Sequence, residues 1–174
     1  MQTKPTYLAW LILAGLALTW GSSFILIKHG LAGFSGDNTV VGALRIVISF
    51  IVLLPLALTR LRRISRRQWG LLAVVGVVSN AAPSFLFAYA QTGIDSNMAG
   101  ILNSLTPLFT LLIGLGFFRI SARWYNVAGV FAGLLGAIGL IYFSGDGGFI
   151  FSFRYAVFVL LATICYATSV NIIK

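Results

Sequence analysis

Residues 18–28 read LTWGSSFILIK, an apolar stretch interrupted by an aromatic residue and a cluster of small polar residues. A stretch of the same outline, ICYATSVNIIK, occupies residues 164–174. When the two are aligned, Trp20 falls on Tyr166, and both stretches end in a lysine. Each belongs to a run of about 20 mostly apolar residues, the length that a helix needs to cross the hydrocarbon core of a bilayer. The two stretches therefore suggest transmembrane helices, and their shared outline raises the question of an internal repeat.

The composition is typical of a chain whose exterior faces lipid. Of the 174 residues, 59% are hydrophobic and 9% are charged, whereas soluble domains are about one quarter charged. No alternating pattern typical of barrel strands occurs, and the connections between apolar runs are too short for a soluble domain. The predicted fold class is an all-α integral membrane protein, a bundle of six transmembrane helices. The predicted spans are Tyr7–Ile27, Thr39–Leu58, Trp69–Ala90, Ser96–Phe118, Tyr125–Phe143 and Tyr155–Ile173.

Residues that could carry out chemistry are few. The chain has one cysteine, Cys165, one histidine, His29, and three scattered acidic residues. This inventory cannot provide a disulfide framework, a metal cluster or a catalytic triad. No nucleotide-binding motif occurs either, so direct coupling to ATP is not expected. We therefore predict no enzymatic activity, no metal and no cofactor.

The basic residues predict the orientation in the membrane. The formal net charge is +9, but the arginines gather in the connections at residues 60–69 and 119–124 and do not form a face of a folded domain. Nucleic-acid binding is therefore not expected. The three acidic residues fall in the other connections. By the positive-inside rule the N-terminus and the arginine-bearing connections are cytoplasmic, and the connection at 144–153 is outside. The prediction is a multi-pass protein of the cell inner membrane, with the lipid bilayer as its main partner.

Polar side chains that interrupt the apolar runs are the candidate binding residues. Within hydrocarbon such groups must face protein or water. Asn103 and Thr106 share a helical face, and Pro107 has no N–H to donate to the carbonyl of Asn103, which predicts a free acceptor at membrane depth. We expect a small-molecule site with apolar walls and few polar anchors. The candidate substrate-binding residues are Trp20, Ser23, Asn80, Tyr89, Asn103, Thr106 and Pro107.

These residues also have a plainer interpretation. Small residues such as Gly21, Ser22 and Ser23 let helices approach closely, and hydrogen bonds between helices stabilise a bundle by ~0.6 kcal/mol each. Arg45 is the charge that lies well inside a span. Its side chain either extends to the interface, pairs with another residue of the bundle, or attracts an anionic group into the cavity.

Four stretches resemble the EamA-type transporters of the drug/metabolite transporter superfamily. They are WGSSFILIKHGL at 20–31, ALRIVISFIVLLPLAL at 43–58, AGILNSLTPLFTLLIGL at 99–115 and WYNVAGVFAGLLGAIGLIYF at 124–143. The resemblance covers essentially the whole chain, and its best motif runs from Asn103 to Thr110. One departure concerns the end of the fourth span. The family often has a Gly-Glu pair there, but this chain has Gly116 followed by Phe117.

The resemblance implies a ten-helix fold built from two five-helix repeats of opposite orientation. Residues 1–144 would form the first repeat, and residues 145–174 would begin a second repeat that is truncated after its first helix. The aligned stretches at 18–28 and 164–174 fit this arrangement, because the odd number of spans between them reverses the direction of the second helix.

The resemblance also implies a function. It indicates a secondary transporter, expected to export small organic metabolites such as amino acids, that works by alternating access at a midplane cavity between the repeats. The expected partners are a small-molecule metabolite and either a second copy of the chain or the missing second half. The alternative is a membrane scaffold or half-transporter that needs a partner. A small multidrug-type pump made of short chains is disfavoured, because six spans exceed four and the first span has no acidic residue.

Overall fold

The computed structural model describes residues 7–61, 64–118, 120, 124–143 and 152–173. Every regular element in these ranges is a helix, which confirms the predicted all-α fold class. The helices are α1 (Tyr7–Gly33), α2 (Asn38–Leu61), α3 (Arg66–Gly76), α4 (Ala82–Ala90), α5 (Ser96–Asn103), α6 (Thr106–Gly116), α7 (Trp124–Phe143) and α8 (Phe153–Ile173). A π-helical segment, Val77–Ala81, joins α3 to α4, so that residues 66–90 form one continuous rod.

Five helical rods are long and apolar enough to cross a membrane, as judged over the described residues. They are Tyr7–Gly33, Asn38–Thr59, Gln68–Ala90, Ser96–Gly116 and Phe153–Ile173. The sixth rod, α7, has 20 residues. The chain is therefore a membrane-embedded, multi-pass helical bundle, and its rods correspond to the six predicted spans. The main difference is at the end of the first span, since α1 continues past Ile27 to Gly33.

Local sequence signals fix where two helices begin. Asp37 starts α2, because its Oδ1 accepts hydrogen bonds from the backbone N–H of Thr39 at 2.8 Å and of Val40 at 3.1 Å. Ser65 starts α3 through a capping box with Gln68, in which each side chain accepts from the other residue's backbone N–H. Both arrangements satisfy N–H groups that have no partner within the helix.

The buried core lies at one end of the bundle, which we call the acidic end. The turn between α1 and α2, the turn between α4 and α5, and the start of α8 meet there. We call the opposite end, where α2 ends and α3 begins, the basic end. The buried core consists of Ile27, Leu31, Val41, Phe87, Ala88, Ala90, Ile94, Met98, Ala99, Val159 and Ala162. Most of these residues belong to the helix segments nearest the acidic end or to the turn between α4 and α5, so the bundle is closely packed there.

Packing around α8 organises the bundle. This helix contacts mainly α4 and α6, while α2 packs against α4, α1 against α5, and α7 against α5 and α6. Large apolar side chains are exposed along the outside, for example Leu18 on α1 and Phe50 on α2. Such exposure is expected of helices that face lipid tails, which are as apolar as the side chains themselves.

Candidate functional site

A cavity of about 1060 Å³ lies between α1, α6, α7 and α8. Arg45 of α2 and Phe87 of α4 also contribute to its wall. This volume is at the upper end of the range of small-molecule sites, which is about 300–1,000 Å³. The surface of the wall is mostly apolar, and polar side chains from several helices also line it, a combination that suits small organic ligands.

Most of the predicted site residues line this cavity. The residues that do so are Trp20, Ser23, Asn103, Thr106 and Pro107. They come from the middle of α1 and from the junction between α5 and α6, two segments that are far apart in sequence. The structure thus brings them together, while their role in substrate binding stays a prediction.

Asn80 and Tyr89 lie outside the cavity wall. Asn80 is exposed on the side of the rod, where its Oδ1 accepts a hydrogen bond of 3.5 Å from Ser84. Its neighbour Ser79 lines the cavity instead. Tyr89 lies near the acidic end, with its ring centroid 4.6 Å from that of Phe158.

At the break between α5 and α6, side-chain hydroxyls donate hydrogen bonds to the backbone carbonyl groups, contrary to the expectation from the sequence. The carbonyl oxygen of Asn103, deprived of a backbone partner by Pro107, accepts a hydrogen bond of 2.7 Å from Thr106 Oγ1. Thr110 repeats the pattern by donating to the carbonyl of Thr106 at 2.8 Å. The predicted free acceptor is therefore occupied, and the break is stable at membrane depth.

Asn171 connects this segment to α8. Its Nδ2 donates to the carbonyl oxygens of Thr110 at 3.0 Å and of Ala167 at 2.9 Å. The approach depends on Gly114, since a Cβ at that position would lie 3.0 Å from Asn171 Oδ1. Asn171 is 3% exposed, so this polar bridge joins α6 and α8 inside the bundle.

The predicted site residues include none from α8, although that helix contributes part of the cavity wall. Tyr166 and Ser169 both line the cavity, as Trp20 and Ser23 do from α1. These are equivalent positions in the aligned stretches at the two ends of the chain. The internal repeat was therefore the signal that could have identified them.

Three aromatic rings lie where the cavity borders the packed core. Phe87 is 1% exposed, and its ring centroid lies 5.3 Å from that of Phe24 in an edge-to-face arrangement. It also stacks with Tyr166 at a centroid distance of 5.9 Å. All three rings also line the cavity. We call Phe24, Phe87 and Tyr166 the aromatic layer.

Polar contacts close the acidic end beyond the aromatic layer. Lys28 Nζ donates to the carbonyl oxygen of Gln91, the C-cap residue of α4, at 3.0 Å and to that of Ile94, in the following turn, at 3.1 Å. A cation is favourable at this position, because helix C-termini carry partial negative charge. Ser96 Oγ donates to the carbonyl of Phe24 at 3.0 Å. The end of α1 is thereby fixed to the turn between α4 and α5.

Arg45 lines the cavity with a guanidinium that is partly buried. It lies near the hydroxyl of Tyr166, with which it interacts electrostatically. Its Nη1 is buried and has no hydrogen-bond partner among the described residues. The guanidinium therefore lies at the cavity wall beside Tyr166 and does not extend away from the bundle.

Comparison with known proteins assigns the fold to a family. Residues 7–142 match the model of the EamA-like transporter family. The chain is 29% identical over 80 residues to an uncharacterized transporter of Synechocystis, a match that covers 45% of this chain and 23% of that protein. It is 24% identical over 120 residues to a protein of Streptantibioticus cattleyicolor named "Probable terminal-alkyne amino-acid exporter". This match covers 69% of this chain and 40% of that protein. The chain thus spans less than half the length of these curated relatives. No solved structure matches the chain.

Proposed function

Because the chain belongs to the EamA-like transporter family, we propose that it forms part of a secondary transporter that exports small organic metabolites such as amino acids. The family and the names of the relatives indicate a transporter rather than an enzyme. One of these relatives carries the name of an amino-acid exporter, which supports this substrate class for the present chain.

The placement of equivalent residues around one cavity carries the proposal. Trp20 and Tyr166 line it together, as do Ser23 and Ser169. In transporters with inverted repeats the substrate site lies at the interface of the repeats, near the middle of the membrane. A cavity with repeat-related walls at this depth is the arrangement that such a mechanism requires. It supports the division of the chain into a first repeat at 1–144 and the start of a second at 145–174.

The uneven packing of the bundle supports alternating access. The aromatic layer and the contacts of Lys28 close the acidic end, whereas the cavity extends along α6 and α7 to Gly114, Ile120 and Asn126 toward the basic end. If the basic end is cytoplasmic, as the positive-inside rule predicts, this conformation receives substrate from the cell interior. Export then requires the aromatic layer to open while the basic end closes.

A further wall is expected from additional helices. Trp20 lines the cavity but is 70% exposed, and the amide of Asn80 is also exposed at membrane depth. An amide facing lipid is unfavourable, since hydrocarbon offers it no hydrogen-bond partner. We propose that a second set of helices, from a second half or from another copy of the chain, covers this side. A scaffold or half-transporter that requires a partner is the alternative, supported by the same exposed residues.

Efflux from living cells tests the proposed function. Cells that express the complete gene product would be loaded with radiolabelled L-phenylalanine or L-leucine and transferred to unlabelled medium. We expect faster loss of label than from cells carrying an empty vector. Rates of loss no faster than those of the empty-vector cells would contradict export of these amino acids.

A further inference from the structure

Arg45 is the charged residue among those that line the cavity in the described part of the chain. It follows Asn38, the first residue of α2, by seven positions, or about 10 Å along the helix axis. Its guanidinium lies at membrane depth beside Tyr166, and its Nη1 has no hydrogen-bond partner among the described residues. The guanidinium therefore has donor capacity that the described protein groups do not use.

The chain supplies no carboxylate to balance this charge within its spans. Asp37 and Asp95 lie in the turns at the acidic end, and Asp146, the third acidic residue, lies outside the described residues. Tyr166 offers Arg45 a hydroxyl but no opposite charge. A buried cation is unfavourable unless an anion and further hydrogen bonds compensate for its lost hydration. An anionic group inside the cavity would provide this compensation.

We propose that Arg45 binds the carboxylate of the transported molecule, and that the substrates are small carboxylic acids with an apolar body, such as hydrophobic amino acids. This inference rests on the proposed transport function and specifies its substrate. A planar guanidinium and a carboxylate form paired, charge-assisted hydrogen bonds, a geometry that an ammonium group cannot reproduce. Trp20, Phe24 and Phe87 provide apolar wall for the remainder of the molecule.

Binding measurements on matched ligands test this assignment without altering the protein. The complete gene product would be placed in phosphatidylcholine nanodiscs, which contain no anionic headgroup that could compete. The probes are L-phenylalanine and L-leucine, each compared with its carboxamide, which has nearly the same shape and no carboxylate. We expect each acid to bind at least about 30-fold more tightly than its amide, as for charge pairs removed from water.

Three variants then test whether Arg45 causes the tighter binding of the acids. Arg45→Gln should reduce binding of the acids by at least about 30-fold and change binding of the amides by less than threefold. Arg45→Lys keeps the charge but loses the paired geometry, so it should fall between wild type and Arg45→Gln. Arg66→Gln is the matched control. Arg66 is exposed at the start of α3, outside the cavity wall, and its loss should leave both ligand classes unaffected.

The outcomes separate this inference from the proposed function. If the wild-type protein binds acid and amide equally and accelerates efflux of amino acids, the transport function stands and the role of Arg45 is refuted. Equal losses of acid binding in Arg45→Gln and Arg66→Gln would also refute it. If neither ligand class binds and no efflux occurs, the proposed function itself fails.

Discussion

Phe87 is expected to stabilise the bundle through packing alone. Its side chain is 1% exposed and contacts the rings of Phe24 and Tyr166. Phe87→Ala would open a void of about 100 Å³, which at ~24 cal/mol per Å³ costs about 2.4 kcal/mol. The lost aromatic contacts add about 1 kcal/mol. Lipid tails are as apolar as the core, so we expect the hydrophobic effect to add little to this loss of unfolding free energy.

The sole cysteine offers a convenient assay of this loss. Cys165 is adjacent to Tyr166 and partly buried, so a thiol-reactive coumarin should label it as the aromatic layer unfolds. Heating the detergent-solubilised protein with this dye should give a midpoint about 7–14 °C lower for Phe87→Ala than for wild type.

Phe50→Ala is the matched control for this prediction. Phe50 lies in the middle of α2 and is 61% exposed. The substitution changes helix propensity by the same amount as Phe87→Ala but opens no internal void. We expect its midpoint to fall by less than about 2 °C. Equal midpoints for the two variants would refute the argument that Phe87 belongs to a packed layer.

Two further predictions concern orientation and close packing. In a Cys165→Ser background, an impermeant thiol reagent added to intact cells should label Ser35→Cys but not Ser65→Cys, because the arginine-rich connection should be cytoplasmic. Labelling of both variants from outside would overturn the orientation. Gly93→Ala should lower the unfolding free energy by about 1–3 kcal/mol, since its Cβ would overlap the ring of Tyr155. Gly70→Ala, with open space around its Cβ, should instead be neutral or stabilising, and equal losses in the two variants would contradict this.

The spans could be predicted because their length and apolar composition are fixed by the thickness of the bilayer. The end of α1 could not. Lys28 and His29 resemble the polar end of a span, yet α1 continues to Gly33. Lys28 is accommodated because its ammonium donates to two carbonyls beyond α4. That contact joins residues more than 60 positions apart and leaves no local signal in the sequence.

The direction of side chains around each rod was harder to predict than the rods themselves. Asn80 was expected in the cavity, but Ser79 occupies that position. Both lie in the π-helical segment Val77–Ala81, whose wider turn shifts the phase of the following helix relative to a regular α-helix. Trp20, Ser23 and Asn103 follow uninterrupted α-helix within their spans, and these predicted residues line the cavity.

The most direct test of the account is whether filling the cavity stops transport. Ser23 lines the cavity, whereas its neighbour Ser22 is exposed and outside the cavity wall. Ser23→Trp would place an indole in the space proposed for substrate, and Ser22→Trp would place the same group outside it. Efflux of labelled L-phenylalanine from cells expressing each variant of the complete gene product would be compared at equal membrane abundance. We predict that Ser23→Trp abolishes the efflux attributable to the protein and that Ser22→Trp retains it. Efflux that persists in Ser23→Trp at the wild-type rate would contradict transport through this cavity.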